Sequence, residues 1–230
     1  MNERFVYVSS VGSVLFMAWV IGRYLPQKFG KTGKLIGVAL FALFTIGYTA
    51  KTIWRTPAWK NAYNLNAYAI KVSKNSARAN ALMATAIYEQ QYLKLKTSEM
   101  EAREALINQA GVYVDRALEI HPLYSSALNL KAGVLAEQYR FNRDHKKLLD
   151  GFSTLLKVKS NFSYIDEYLQ FLNNKNDSDI NFALTNFYYE MGSYFRIREN
   201  TRSLSNKFFR MGLEINPNNP QLKEGFNATR

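Results

Sequence analysis

The chain has 230 residues, enough for a membrane segment plus one soluble domain of ordinary size. It contains no cysteine, which excludes a disulfide framework, a thiolate metal site and a cysteine nucleophile. Lysine and arginine number 30 against 18 acidic residues, but they are scattered and no basic run interleaves with aromatics, so the net charge of +12 does not describe a strand-binding groove and no nucleic-acid partner is expected.

Residues 5–22 and 35–50 are uncharged apolar runs, flanked by Arg4 and Arg23 and by Lys34 and Lys51. Each is about the length that crosses a bilayer once its flanks are counted, and neither carries the polar stripe of a buried soluble helix. The expectation is a two-helix membrane hairpin over residues 1–54. Its connecting segment, residues 23–34, holds four basic residues and no acid, which predicts a cytoplasmic loop and an extracytoplasmic remainder. Tyr7 and Tyr24, then Trp54 and Trp59, stand where aromatic anchors meet the interface. The first run has neither the extended basic start nor the cleavage site of a signal peptide. Gly30-Lys31-Thr32 imitates the end of a phosphate-binding loop, but Leu25 stands where that motif needs glycine.

The mean hydropathy of −0.26 requires residues 55–230 to be mostly aqueous. Thr56-Pro57 predicts a helix start, with Trp59, Tyr63 and Ile70 on one side and an end near Lys74. Asn75-Ser76 caps a second, alanine-rich helix that continues into Tyr88 and Tyr92. A third runs from Glu99 to Ile120 and is stopped by His121-Pro122.

That ending recurs. Leu118-Glu-Ile-His-Pro122 matches Leu213-Glu-Ile-Asn-Pro217 in four of five positions, with weaker echoes at Ile70-Lys-Val-Ser73 and Leu156-Lys-Val-Lys-Ser160. Upstream of the strong copies, Ala110, Val114, Ala117 and Ser205, Phe209, Gly212 stand at identical distances from their prolines, small and large alternating as packed helix pairs require. Ala127, Ala132 and Leu135, then Leu184, Tyr188, Gly192 and Tyr194, suit the partner helices, although Lys131 stands where leucine is usual. The pattern resembles the tetratricopeptide repeat, which implies an irregular α-solenoid over residues 55–230 with copies roughly 40 to 60 residues apart. Residues 141–176 are the most degenerate stretch, and a new helix is expected at Ser178 or Asp179.

A concave solenoid face leaves side chains free for a protein or peptide ligand, with Asn80, Asn129 and Lys131 as candidates. No metal and no cofactor is expected: His121 and His145 lack partners at ligand spacing, and Asp177 and Asp179 lack the glycine and distal glutamate of a calcium loop. Capping is the expected role of those aspartates. The sequons at Asn161, Asn176 and Asn227 are no more numerous than chance allows in an asparagine-rich chain.

Glu3-Arg-Phe-Val-Tyr-Val-Ser-Ser-Val-Gly12 resembles the stretch that opens a late membrane span in the transmembrane and tetratricopeptide repeat-containing protein O-mannosyltransferases and their bacterial relatives, with Ser9 in place of the usual proline. The layout is similar too: motif, spans, an Arg55-x-x-x-Trp59 junction, then repeats. The resemblance implies an integral membrane protein of the bacterial inner membrane or endoplasmic reticulum, with its repeats on the extracytoplasmic side. Such enzymes use a polyprenyl-phosphate-linked sugar, and their catalytic acids lie many spans before this motif. No complete active site is therefore expected here: the resemblance implies the C-terminal part of a polyprenyl-phosphate-sugar-dependent glycosyltransferase-like protein, present as a fragment, a mis-started gene product or a split subunit whose partners are membrane lipids and a separate catalytic glycosyltransferase chain. The alternative is an active subunit that complements such a chain. Glu3, Arg4 and Tyr7 share one helix face and form a candidate lipid-phosphate site, with interfacial anchoring as the plainer role.

Overall fold

The structure, a computed structural model, describes residues 3–175, 177–198 and 200–229, with the side chains of residues 3–10 outside the description. Helix accounts for 84% of it and the described residues contain no strand, so the fold is all-helical as the sequence predicts. The chain divides into two compact units, Met1–Asn64 and Leu65–Arg230.

In the first unit, α1 (Glu3–Trp19) passes through a π-helical turn, Val20–Tyr24, into α2 (Leu25–Arg55). The expected loop over residues 23–34 is instead almost wholly helical. Gly30 alone departs, at φ 57° and ψ −129°, a region nearly closed to residues with a Cβ. Past it the chain folds back on itself. A Cβ on Gly33 would lie 2.0 Å from the Leu25 carbonyl oxygen, and one on Gly37 would lie 2.9 Å from that of Ile21. The two glycines are one turn apart on one face and are the buried residues of α2. Val11–Trp59 is, among the described residues, the stretch long and apolar enough to cross a membrane, and almost all of it is exposed.

Thr56 does not cap a new helix. Its Oγ1 donates to the Thr52 carbonyl at 2.9 Å, the back-bond that keeps a threonine inside a helix, and the chain continues through a 3₁₀ turn, Thr56–Trp59. The next helix, α3 (Ala62–Val72), starts after Asn61, whose side-chain oxygen accepts from the Asn64 amide at 2.8 Å.

The second unit continues with α4 (Ala77–Gln90), α5 (Met100–Ile120), α6 (Ser125–Asn142), α7 (His145–Val158), α8 (Ser163–Asn173), α9 (Ser178–Arg196), α10 (Arg202–Ile215) and α11 (Pro220–Ala228). Most of these pack on their neighbour in the chain, and α4, α6, α7 and α9 also touch the helix after next. Ser76 caps α4 through the Ala79 amide at 3.2 Å, as expected. Asp177, one residue before the expected start, caps α9 by accepting from the amides of Asp179 and Ile180.

The recurring sequence is a recurring turn. After α5 the amide of His121 donates to Ala117, that of Tyr124 to His121 and that of Leu128 to Tyr124, each at 3.0 Å. The same three bonds follow α10, from Asn216, Asn219 and Lys223, and follow α3, from Ser73, Ser76 and Asn80. The echo after α7 keeps the outer two, Lys159 to Leu155 and Asp166 to Phe162, while the middle bond is absent among the described contacts. Eleven, seven and four residues before the turn residue stand Ala110, Val114, Ala117; Leu148, Phe152, Leu155; and Ser205, Phe209, Gly212. All nine are buried.

Packing at the last of these faces is the tightest. The Phe209 ring occupies the space that a side chain would need at both Gly192 and Gly225, where an added Cβ would lie 2.8 Å and 2.4 Å from ring carbons. Ser205 ties the same face down by donating to the Gly192 carbonyl at 2.7 Å. Three helices thus meet on one ring. Phe209→Ala is expected to lose about 3–5 kcal/mol of stability, and Gly225→Ala about 1–3 kcal/mol by overpacking. Chemical denaturation of the two variants against the parent, with Gly133→Ala as a control position open within 4 Å, measures both.

Candidate binding groove

Helix α6 presents Ser126, Asn129, Leu130, Gly133 and Glu137 along one side, because positions three and four apart share a helix face. With Thr85 and Tyr88 of α4, Val114 of α5 and Tyr164 of α8, they enclose an open groove of about 490 Å³. Its floor is apolar and its rim carries amide and hydroxyl groups. Gly133 leaves the centre open, since nothing lies within 4 Å of a Cβ built there.

At one end the groove meets Glu137, which also lines a second recess of about 560 Å³. Glu137 accepts a hydrogen bond from the Tyr92 hydroxyl and pairs with Arg140 at 3.1 Å. Tyr92 stacks on Tyr88, with centroids 5.2 Å apart and planes at 17°, and its other neighbour is the Arg103 guanidinium, 4.2 Å from the ring centre. Arg103 is itself held by the Leu95 carbonyl at 3.1 Å. The expected helix does not run on into Tyr92: α4 ends at Gln90, and Tyr92 opens a 3₁₀ turn, Tyr92–Lys94, from which its ring stacks back on Tyr88, so that the two rings and the carboxylate across from them stand between an apolar and a basic compartment.

The expected site residues are separated. Asn80 is buried and spends its side-chain amide on the carbonyls of Lys74 and Ser76, at 3.0 Å and 2.9 Å, closing the turn into α4. Lys131 pairs with Asp115 at 2.6 Å and does not line the groove. Asn129 alone of the three lies in it, exposed. The side chains of Glu3, Arg4 and Tyr7 lie outside the described residues. The groove's tyrosines and Glu137 escape a reading by repeat pattern, because the positions that define the repeat are the buried ones. The available signal was the i, i+4 spacing of Tyr88 and Tyr92.

Among the described residues no cluster of histidine and acidic side chains is arranged to hold a metal ion. Burial dominates the electrostatics of the tyrosines. It raises the pKa of Tyr92, where the hydrogen bond to Glu137 adds to the effect, and of Tyr88 and Tyr139. Tyr164 and Tyr168 are pushed up to about 12, again first by burial. All are neutral donors at physiological pH. No protein-family model matches the sequence. Comparison with curated proteins likewise gives no match.

The raised values have a measurable consequence. An ordinary tyrosine ionises near 10.0 in the unfolded chain, so the stability gained by holding Tyr164 and Tyr168 protonated is fully present below that pH and is lost as pH rises through about 12. A tyrosinate absorbance titration of the folded protein should show a late-ionising class near pH 12, which Tyr164→Phe and Tyr168→Phe each diminish.

Proposed function

We propose that the chain is a membrane-anchored helical-repeat module whose groove holds a segment of a partner protein or peptide. The observation that carries this reading is the open groove on α4, α6 and α8, with an apolar floor and exposed polar rim beside a glycine. The shared turn geometry and the buried faces at fixed offsets from it support a tetratricopeptide-like array. The reversal at Gly30, with apolar helix on either side, supports a two-span hairpin. The basic residues Arg23, Lys28, Lys31 and Lys34 around that reversal support a cytoplasmic tip, which would place the repeats on the extracytoplasmic side. The layout shared with the O-mannosyltransferase-like enzymes supports a role beside polyprenyl-phosphate-sugar-dependent glycosyl transfer.

Two measurements test the parts separately. In membranes from expressing cells the full chain should stay in the pellet through alkaline and high-salt washes; release into the supernatant would remove the membrane anchor. For the groove, a displayed library of random peptides of about ten residues, roughly 33 Å when extended, is selected on the detergent-solubilised chain. Gly133→Trp fills the groove without meeting another atom at its Cβ, so it should weaken the selected peptides at least about tenfold while circular dichroism stays unchanged. Undiminished binding by that variant would move the peptide site elsewhere.

A further inference from the structure

The recess beyond Glu137 differs in chemistry from the groove it adjoins. Four cations line it, Arg103, Arg140, Arg143 and Lys175, against the single carboxylate of Glu137. That carboxylate is already engaged by Arg140 and by the Tyr92 hydroxyl. No carboxylate lies within ion-pair distance of Arg103, Arg143 or Lys175 among the described residues. Asp177 acts on Tyr139 from outside the recess, with its Oδ1 engaged in capping α9 and no ion pair to Arg143 or Lys175 among the described residues.

The three cations are placed rather than loose. Arg143 ends α6 in the left-handed conformation, φ 54° and ψ 21°, a position that glycine or asparagine usually fills. Its guanidinium lies 6.0 Å from the Tyr139 ring centre, and the Lys175 ammonium lies 5.6 Å from the same ring and 4.7 Å from Phe171. Aromatic rings hold these side chains in place without neutralising them. Arg103 faces the same recess from the start of α5, across Tyr92. A wall of four cations against one carboxylate, joined at that residue to an apolar groove, matches a ligand that is apolar along one part and anionic at the next. A peptide has that character when aspartate or glutamate follows hydrophobic residues.

We propose that the recess is the acidic-side-chain subsite of the peptide groove: carboxylates of the bound segment lie against Arg143, Lys175 and Arg103, while its hydrophobic residues lie beside Gly133. This rests on the groove reading above and adds the order and charge of the ligand. Glu137 marks the crossover, because its own negative charge repels a carboxylate placed beside it and favours one displaced toward Arg143 and Lys175.

The test uses the full chain in uncharged detergent and one groove-selected peptide made in pairs, with a short Asp/Glu run or its Asn/Gln counterpart at either end. At low salt the acidic form with the run at one end should bind about tenfold or more tighter than its amide counterpart, and added salt should shrink that gain. Arg143→Gln with Lys175→Gln should remove most of the gain while the amide peptide still binds. Equal affinity of acidic and amide forms, or a gain that survives the double variant undiminished, overturns the subsite while the groove reading stands. Failure of the amide peptide itself to bind in a Gly133-dependent way overturns both. Displacement of the acidic peptide by anionic vesicles, but not by neutral ones, overturns the peptide assignment in favour of a lipid surface.

Discussion

One turn organises the second unit. Three backbone hydrogen bonds at fixed offsets stop a helix, carry the chain across and start the next, at Ser73, His121 and Asn216 alike. Because the bonds fix the number of residues crossing over, they also fix which side chains face each other. Four residues before and six after the turn residue stand Ala117 and Ala127, then Gly212 and Leu222. The first pair shares a buried cluster, and in the second a Cβ on Gly212 would lie 2.9 Å from Leu222. Lys159 gives the same register with Leu155 and Ile165, both buried in the main core. Where these positions hold Ala or Gly the helices can approach closely, and elsewhere on the same helices the Phe209 ring fills the space left at Gly192 and Gly225.

This explains which parts of the fold were legible. The proline after His121 and after Asn216 made two turns visible as text, and the small-large-small face upstream was visible with them. At α7 the same three positions hold Leu148, Phe152 and Leu155, so the pattern vanishes from the sequence although the positions are buried all the same. The close approach has moved one place, to Gly151, where a Cβ would lie 2.5 Å from Leu135. Turn and register persist while their signature residues do not. The Gly30 reversal was hidden for the opposite reason: a run of basic and glycine residues reads as a loop, yet one residue does the turning and the helix resumes on both sides.

The groove was less legible than the core, because Tyr88, Asn129, Glu137 and Tyr164 lie outside the offsets that the recurring turn fixes. Asn80 and Lys131 are polar residues in a helical array, and each turns out to serve the array itself, one closing a turn and the other bridging α5 and α6. The buried Asn80 amide must find acceptors within the turn, since leaving a buried polar group unmet costs about 1–3 kcal/mol. On the groove proposal, what remains for a partner is the set without such a bond. Asn129 belongs to that set, as do Arg143 and Lys175, whose aromatic neighbours hold them in place but leave their charge unmet.

The first unit obeys a different constraint, and it bears on the anchor reading. Leu35, Ile36, Val38, Phe41, Leu43 and Ile46 of α2 are exposed, and at about 100° per residue they point all round the helix. A helix that docks on a soluble partner needs an apolar stripe on one face and a polar one on the other. Among the described residues of α2, Gly33 and Gly37 are the buried ones, set against the backbone of Leu25 and Ile21. A single packed neighbour therefore cannot satisfy the remainder, since each large apolar side chain left in water forgoes about 1.5–3 kcal/mol. An apolar surface over most of the circumference is what supports the proposed membrane anchor, in which a bilayer is the apolar medium and the glycine strip is the contact made within the chain.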